Sequence, residues 1–362
     1  MWADAPLRQE LIGQVKTHVG HADGVLVCDP SGFPTSGRES VGVPRQWGGR
    51  LGTVDHCQGA MSLGSVSRKG QSLVDTRLSL PKAWTKDQAR LDKAGVPKAS
   101  RASRTRHQLA LEMLAQNGTA LAHRWMAGDD EMGRPAWCRR RLAALGERSM
   151  LAVPSHTMMR DLETPAPAYG GQGRPPQRPW QGVATWTTAL GDAAWRRLDV
   201  RDGSTGPLVV EVVTRRVVSR TQRRQHGDEE LVVVIRSRDR AQEQVVPVDD
   251  SLSNAAPETP LGELARVAKA AHRLDECMQR RKSEAGLADE EVRHGTGWQQ
   301  QHTLSFLATW FLVRETQRGK NMAPCDHLPA DAPRPRGDRA RGVAVRDDAA
   351  YGAGAPEALA TS

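Results

Sequence analysis

"GVLVCDPSGFP", residues 24–34, runs four apolar residues into an aspartate, and a proline, a serine and a glycine follow at once. Val25 to Val27 have the aliphatic character of a buried strand. Proline and glycine after it predict a turn. The stretch therefore reads as a strand over 24–29 ending on Asp29, followed by a loop over 30–52. A carboxylate in that place is either a turn residue or a group held at a sheet edge for chemistry.

The flanking sequence supplies the rest of a sheet. Residues 1–20 read as a short amphipathic lead-in helix. "HCQGAMSLGSVSR" (56–68) and "SLVDTRLSLP" (72–81) alternate as a strand pair, and a charged connection follows over 84–98. "RTRHQLALEMLAQNG" (104–118) is a helix with Leu109, Met113 and Leu114 on one side, stopped by Gly118. "HRWMAGDD" (123–130) is a short strand running into Asp129 and Asp130. A helix over 134–147, with Trp137, Leu142 and Leu145 inward, leads to a strand over 149–155. A Pro/Gly linker (164–182) then precedes two β-branched strands, 206–219 and 230–239, which read as an inserted sheet. The long helix over 260–287 carries an apolar stripe at Leu264, Val267, Ala271, Leu274 and Met278. A more apolar helix follows over 296–315. Beyond Lys320 the chain is rich in Pro, Arg, Ala and Gly, a composition expected to be disordered. This order predicts an α/β fold, a mixed sheet flanked by helices, and it is the order of the ribonuclease-H-like fold. The expected divisions are 1–156 and 256–320 as two parts of one core, 157–255 as a β-rich insertion before the last helices, and 321–362 as a tail.

Composition narrows the function. The 362 residues hold 51 Lys plus Arg against 42 Asp plus Glu, a net charge of +9. Basic residues cluster at 98–107, 138–142, 214–224 and 279–282, which points to a polyanion such as DNA. Five cysteines without a C-x-x-C pair argue against a disulfide framework or a zinc ribbon and fit a reducing cytoplasm. No run of about eighteen apolar residues predicts a membrane span, and the N-terminus lacks a signal-peptide pattern. The phosphate-binding glycine motifs and the G-x-S-x-G elbow are absent, which disfavours nucleotide enzymes and serine hydrolases.

The acids then form a pattern. Asp29 and Asp129, with Asp130 beside it, end strands, and carboxyl ends of neighbouring strands converge on one edge. Asp275 and Glu276 lie on the long helix expected to pack over that edge. Carboxylates packed together repel and call for cations. All-oxygen donors suit Mg²⁺ or Mn²⁺, and two such ions serve both oxygens of a phosphoryl transfer. Taken singly, each acid also has a bland reading: a turn residue, a helix N-terminal charge cluster, or a solvated acid pairing with Arg280.

Together these residues resemble the DDE transposases of bacterial insertion sequences, in the branch whose first motif is Asp-x-Ser/Thr-Gly-Phe. The resemblance spans roughly residues 1 to 325. "VLVCDPSGFPTSGRESVGVPRQWGGRLGTVDHCQ" (25–58) matches the first-aspartate block, "WMAGDDEMGR" the second acid, and residues 251–287 the helix of the third. It implies a ribonuclease-H-like core and Mg²⁺- or Mn²⁺-dependent cleavage at the ends of a mobile element, with strand transfer into target DNA. It further implies a homo-oligomer on DNA, associated with the nucleoid. Asp29 and Asp129 map to the first two acids. The third, a glutamate seven residues before a lysine in the family, maps to Asp275 before Lys282, with Glu276 as alternate. Seven residues are about 700° of helix, so Asp275 and Lys282 share a face. Lys282, Arg45 and Arg50 are the expected DNA contacts.

Three departures bear on activity. Asp275 is one methylene shorter than the family's glutamate. The helical segment that precedes the family's first strand is missing, which implies a truncated copy or a mis-assigned start. Family aromatic positions hold Met278, Glu290, Gly295 and the "DDS" at 249–251. The alternatives are a decayed transposase that binds DNA without cutting it, and a host nuclease of the same fold.

Overall fold

Asp29 does not end its strand. In the computed structural model, which describes residues 3–35, 37–48, 53–203, 206–220, 226–238, 245–284 and 292–321, strand β1 runs over Val25–Pro34. The Gly24 carbonyl accepts the Arg124 N–H at 2.8 Å. Backbone groups alternate direction along a strand, so even-numbered residues of β1 turn their N–H toward that neighbour. The neighbour stops pairing at Gly128. Pro30 and Pro34, both even, therefore face an open edge, where a missing N–H is harmless. The other side of β1 stays paired from Val25 to Pro34.

The chain begins with α1 (Ala5–His18), β1, β2 (Arg45–Gly48), β3 (Thr53–Ser67) and β4 (Gly70–Ser79). The connection after β4 holds α2 (Lys82–Thr85) and α3 (Gln88–Lys93), and α4 (Arg106–Asn117) follows. Next come β5 (Trp125–Gly128), α5 (Asp130–Gly133), α6 (Ala136–Ala144) and β6 (Ser149–Ala152). The later region has β7 (Met158–Asp161), β8 (Gln181–Gly182), α7 (Val183–Thr188), β9 (Arg196–Gly203), β10 (Gly206–Arg220), β11 (His226–Arg238) and β12 (Val245–Ser253). Two long helices, α8 (Leu261–Glu284) and α9 (Gly295–Asn321), complete the described chain.

β1, β3 and β4 form an antiparallel meander, and β5 and β6 add in parallel on the other side of β1. The order β4-β3-β1-β5-β6, with helices on the sheet, is consistent with a ribonuclease-H-like architecture. β12 pairs with β6 antiparallel, and β11, β10 and β7 continue the same sheet outward. The β10 and β11 segments are the two β-branched runs of the sequence. β12 was not legible there: it contains Pro247 and two aspartates, and its ladder slips where Arg236 meets Pro247, a bulge that tolerates proline.

α8 covers the face of the sheet that carries Val27. Gly64 of β3 pairs with Val27, and a Cβ on Gly64 would stand 2.1 Å from Leu274 Cδ1. Leu264, Val267, Leu274, Cys277 and Met278 are buried on that helix, so its apolar stripe falls where the periodicity put it. α9 reaches the same face further along, where Phe33 of β1 meets the His302 ring edge-on at 5.2 Å. In α6 the inward reading fails for two residues. Leu142 is buried, but Trp137 and Leu145 are exposed, and Cys138 and Arg139 are buried instead. Arg139 turns inward because Glu230 receives its Nε at 2.7 Å and Ser219 its Nη2 at 2.8 Å. The described cysteines, Cys28, Cys57, Cys138 and Cys277, are free and buried. No described helix is long and apolar enough to cross a membrane. The expected tail after residue 321 lies outside the described residues.

Candidate active site

The first two acids stand side by side on neighbouring strands, Asp29 within β1 and Asp129 just past the end of β5. The parallel pairing of β1 and β5 runs from Val25↔Trp125 to Cys28↔Gly128. Asp29 and Asp129 are the next residue on each chain, and neighbouring strands lie about 4.8 Å apart. Odd-numbered residues of β1 share the face on which α8 and α9 pack, so Asp29 projects on the covered side of the sheet.

Local chemistry holds each carboxylate. The Ser31 hydroxyl, itself buried, donates to Asp29 Oδ2 at 3.0 Å. Asp129 caps the short α5 by accepting the Met132 N–H at 3.2 Å. Burial pushes the Asp129 carboxyl up to about 7; the Met132 bond opposes this, and the charges of Asp29, Glu131 and Asp130 add to it. A divalent cation would compete with the proton that this environment favours. Ser31→Ala should weaken Mn²⁺ binding by roughly tenfold, the usual size of an outer-shell effect, and isothermal titration against the parent would measure it.

The raised carboxyl also predicts a pH dependence of metal-free stability. A carboxyl with a folded pKa above its unfolded value stabilises the fold below the unfolded pKa and loses that contribution as pH rises through the folded one. The window here runs from about 4 to about 7. Urea unfolding of the parent should therefore lose stability relative to Asp129→Asn between pH 5 and pH 8. A constant difference between the two would contradict this assignment.

The residues around the pair are tied down. Asp130 forms an ion pair with Arg134, one helical turn on. Glu131 receives Arg106 Nε at 2.8 Å, and its carbonyl lies 2.8 Å from His107 Nε2. These contacts fasten the start of α4, which carries a Thr105–Gln108 capping box, against α5. Beside them opens a groove of about 460 Å³ lined by Gln46, Gly59, Ser79, Arg106, His107 and Glu131.

Residues 1–207 match the family described as DDE superfamily endonuclease. The chain belongs to this family. Comparison with curated proteins found no match. The matched span holds Asp29, Asp129 and the whole β4-β3-β1-β5-β6 arrangement, and it ends before α8. What α8 contributes is therefore read from its own residues.

His272 of α8 bonds Asp249 at 2.9 Å, and this bond raises the His272 pKa against the opposing effect of burial. Asp249 lies on β12 just past the end of β6, since Val153 donates to the Asp250 carbonyl at 2.7 Å. The contact ties the middle of α8 to the sheet end that bears Asp29 and Asp129. Asp275, one turn beyond His272, is exposed and acts electrostatically on it. Among the described residues, no three His, Cys, Asp or Glu side chains form a metal-holding group. The side chains of Glu276 and Lys282, and the whole of Arg50, lie outside the described residues. Arg45 is exposed on β2, paired with His56 just beyond the end of β1.

Sequence reading missed Asp249 and Asp250. Asp250 is pushed up to about 6 by burial and by Asp249. Both occupy a position where the resembling family has an aromatic residue, and the sequence offered no sign that this segment was a strand at the acidic edge.

Proposed function

We propose that this DDE endonuclease is a transposase: it cleaves DNA at the ends of an insertion sequence with Mg²⁺ or Mn²⁺ and transfers the freed strand into a target. The observation that carries the reading is the side-by-side placement of Asp29 and Asp129 where the β1–β5 pairing stops, with the Asp129 carboxyl pushed up to about 7 by burial and by its neighbours' charges. Two partly buried carboxylates in mutual repulsion are hard oxygen donors suited to a divalent ion. Asp29 and Asp129 would hold the cation, with Asp275 or Glu276 as third ligand from α8. When bound, the metal supplies Lewis acidity to a phosphodiester and lowers the pKa of the attacking oxygen.

The protein's own part is positioning. Ser31 and the Met132 N–H orient the two carboxylates, and burial limits their contact with water. The groove past Gln46, Arg106 and His107 is the proposed path for a DNA strand beside the acids. Arg45, Lys282 and Arg50 are proposed phosphate contacts, and residues 157–255 a β-rich insertion in the core. Incubation with supercoiled plasmid and Mn²⁺ tests the reading: the parent chain nicks it, and Asp29→Asn does not. A second reading is favoured by the exposure of Asp275, namely a chain that binds DNA but no longer cuts it. It predicts salt-sensitive DNA binding with no nicking by the parent at any Mn²⁺ concentration.

A further inference from the structure

Far from the acids, an arginine pair has no carboxylate partner among the described residues. Arg160 of β7 lies opposite Val218 of β10, and Trp180 lies immediately before β8, which pairs with β7. The guanidinium of Arg160 sits 4.5 Å from the centre of the Trp180 ring, and that of Arg220 sits 5.4 Å from the same ring. Arg220 follows Val218 by two residues at the end of β10, so the group forms one patch on one face of the sheet. The Nε atoms of both arginines are buried and have no hydrogen-bond acceptor.

The surroundings make this an exception. Four arginines nearby on the sheet and on α6 have acids: Arg215 has Glu163, Arg216 has Glu229, Arg139 has Glu230 and Arg140 has Asp228, while Arg178 donates to the Thr164 carbonyl. Asp161, next to Arg160, is engaged by Thr164 and Trp186. Among the described residues, no carboxylate reaches Arg160 or Arg220. Two cations sharing one aromatic ring repel each other, and stacking on the ring fixes their planes without neutralising them. An arrangement with fixed forks, uncompensated charge and a flat apolar platform is suited to an anion that arrives from outside.

The patch is also remote from the reaction. Between β5 and β7 lie β6, β12, β11 and β10, and strands are spaced by about 4.8 Å. It is too far away to touch a phosphate at Asp29 and Asp129. A polymer with phosphates along its length could occupy both places at once.

We propose that Arg160, Trp180 and Arg220 form a second contact for the DNA phosphate backbone, outside the cleavage site. The inference rests on the reading of the chain as a DNA enzyme. It adds that the strands beyond β6 anchor the same substrate at a distance. The contact is electrostatic, bound through guanidinium forks to phosphate oxygens, and independent of sequence and of metal.

Fluorescence anisotropy of the full chain on a labelled mixed-sequence duplex, in EDTA and across a salt series, tests it. Arg160→Gln and Arg220→Gln should each weaken binding roughly fivefold near ~0.15 M salt, and each should make the log-affinity against log-salt slope shallower by about one. Exchanging both arginines for lysine should keep most of the slope, because the charge remains. Should the double glutamine variant fail to fold, the two single variants carry the same slope test. If the parent binds and the glutamine variants keep its affinity and slope, the second contact is wrong while the DNA enzyme stands. If the parent binds no DNA, the reading on which it rests falls too.

Discussion

Asp29→Asn and Asp129→Asn should each remove the proposed metal-dependent nicking of plasmid DNA while the chain stays folded, and Asp129→Asn should make the metal-free protein more stable at pH 8. Loss of cleavage should exceed the 10- to 100-fold typical of outer-shell changes, since the proposal makes each acid a direct oxygen ligand. The gain in stability has a separate cause. At pH 8 the parent carries two neighbouring carboxylates on adjacent strands, one of them pushed up to about 7. Asparagine keeps the shape and can still accept the Met132 N–H, but it removes the charge. A displacement of that size corresponds to a stabilisation on the order of a few kcal/mol, read by urea unfolding in EDTA. An enzyme that gives up stability to hold charge at its active site shows this opposition, because losing the acid costs activity and improves the fold. An asparagine variant that lost activity and stability together would contradict the cost assigned to burying the Asp129 charge, since asparagine keeps the cap.

Gly133→Ala should be the most damaging single methyl in the region. Gly133 closes α5, the turn that begins at Asp129, and a Cβ there would stand 1.9 Å from the Ala152 carbonyl oxygen. The obstacle is backbone of β6, so no rotamer change relieves it. Its own carbonyl also accepts a bond from buried Arg139. Overpacking of this kind costs about 1–3 kcal/mol or more, and here the strain would move Asp129 itself. Both the melting temperature and the nicking rate should fall. Gly13→Ala is the internal control, since Gly13 lies within α1 with nothing inside 4 Å of the added carbon. It should raise stability by about 0.5–1 kcal/mol. If the two substitutions behave alike in a thermal melt, the close approach of α5 to β6 is wrong.

Much of this fold was legible because its core elements carry strong local signals. Val25–Val27, the alternation over 56–81, the β-branched runs of β10 and β11 and the stripe of α8 each specify an element without outside help. The failures have physical causes. Pro30 reads as a strand end unless one knows that β5 stops at Gly128 and leaves that edge of β1 open. β12 hides behind Pro247 and two aspartates, one of which binds His272 across the fold. Arg139 is buried because Glu230, ninety-one residues away, receives it, and no helical periodicity reveals that partner. At the site, Asp29 and Asp129 were legible because strand order alone brings them together. The third ligand was not, since its place depends on how α8 crosses the sheet. The Arg160–Trp180–Arg220 patch depends on cross-strand pairing and had no linear motif.

The most direct test of the account is a thermal-shift titration of the purified chain with Mn²⁺ at pH 8, beside Asp29→Ala and Asp129→Ala. The account predicts a stabilisation that saturates in the parent and is absent in both variants. A folded parent that shows no shift, or variants that shift as the parent does, would contradict a metal site built on these two acids.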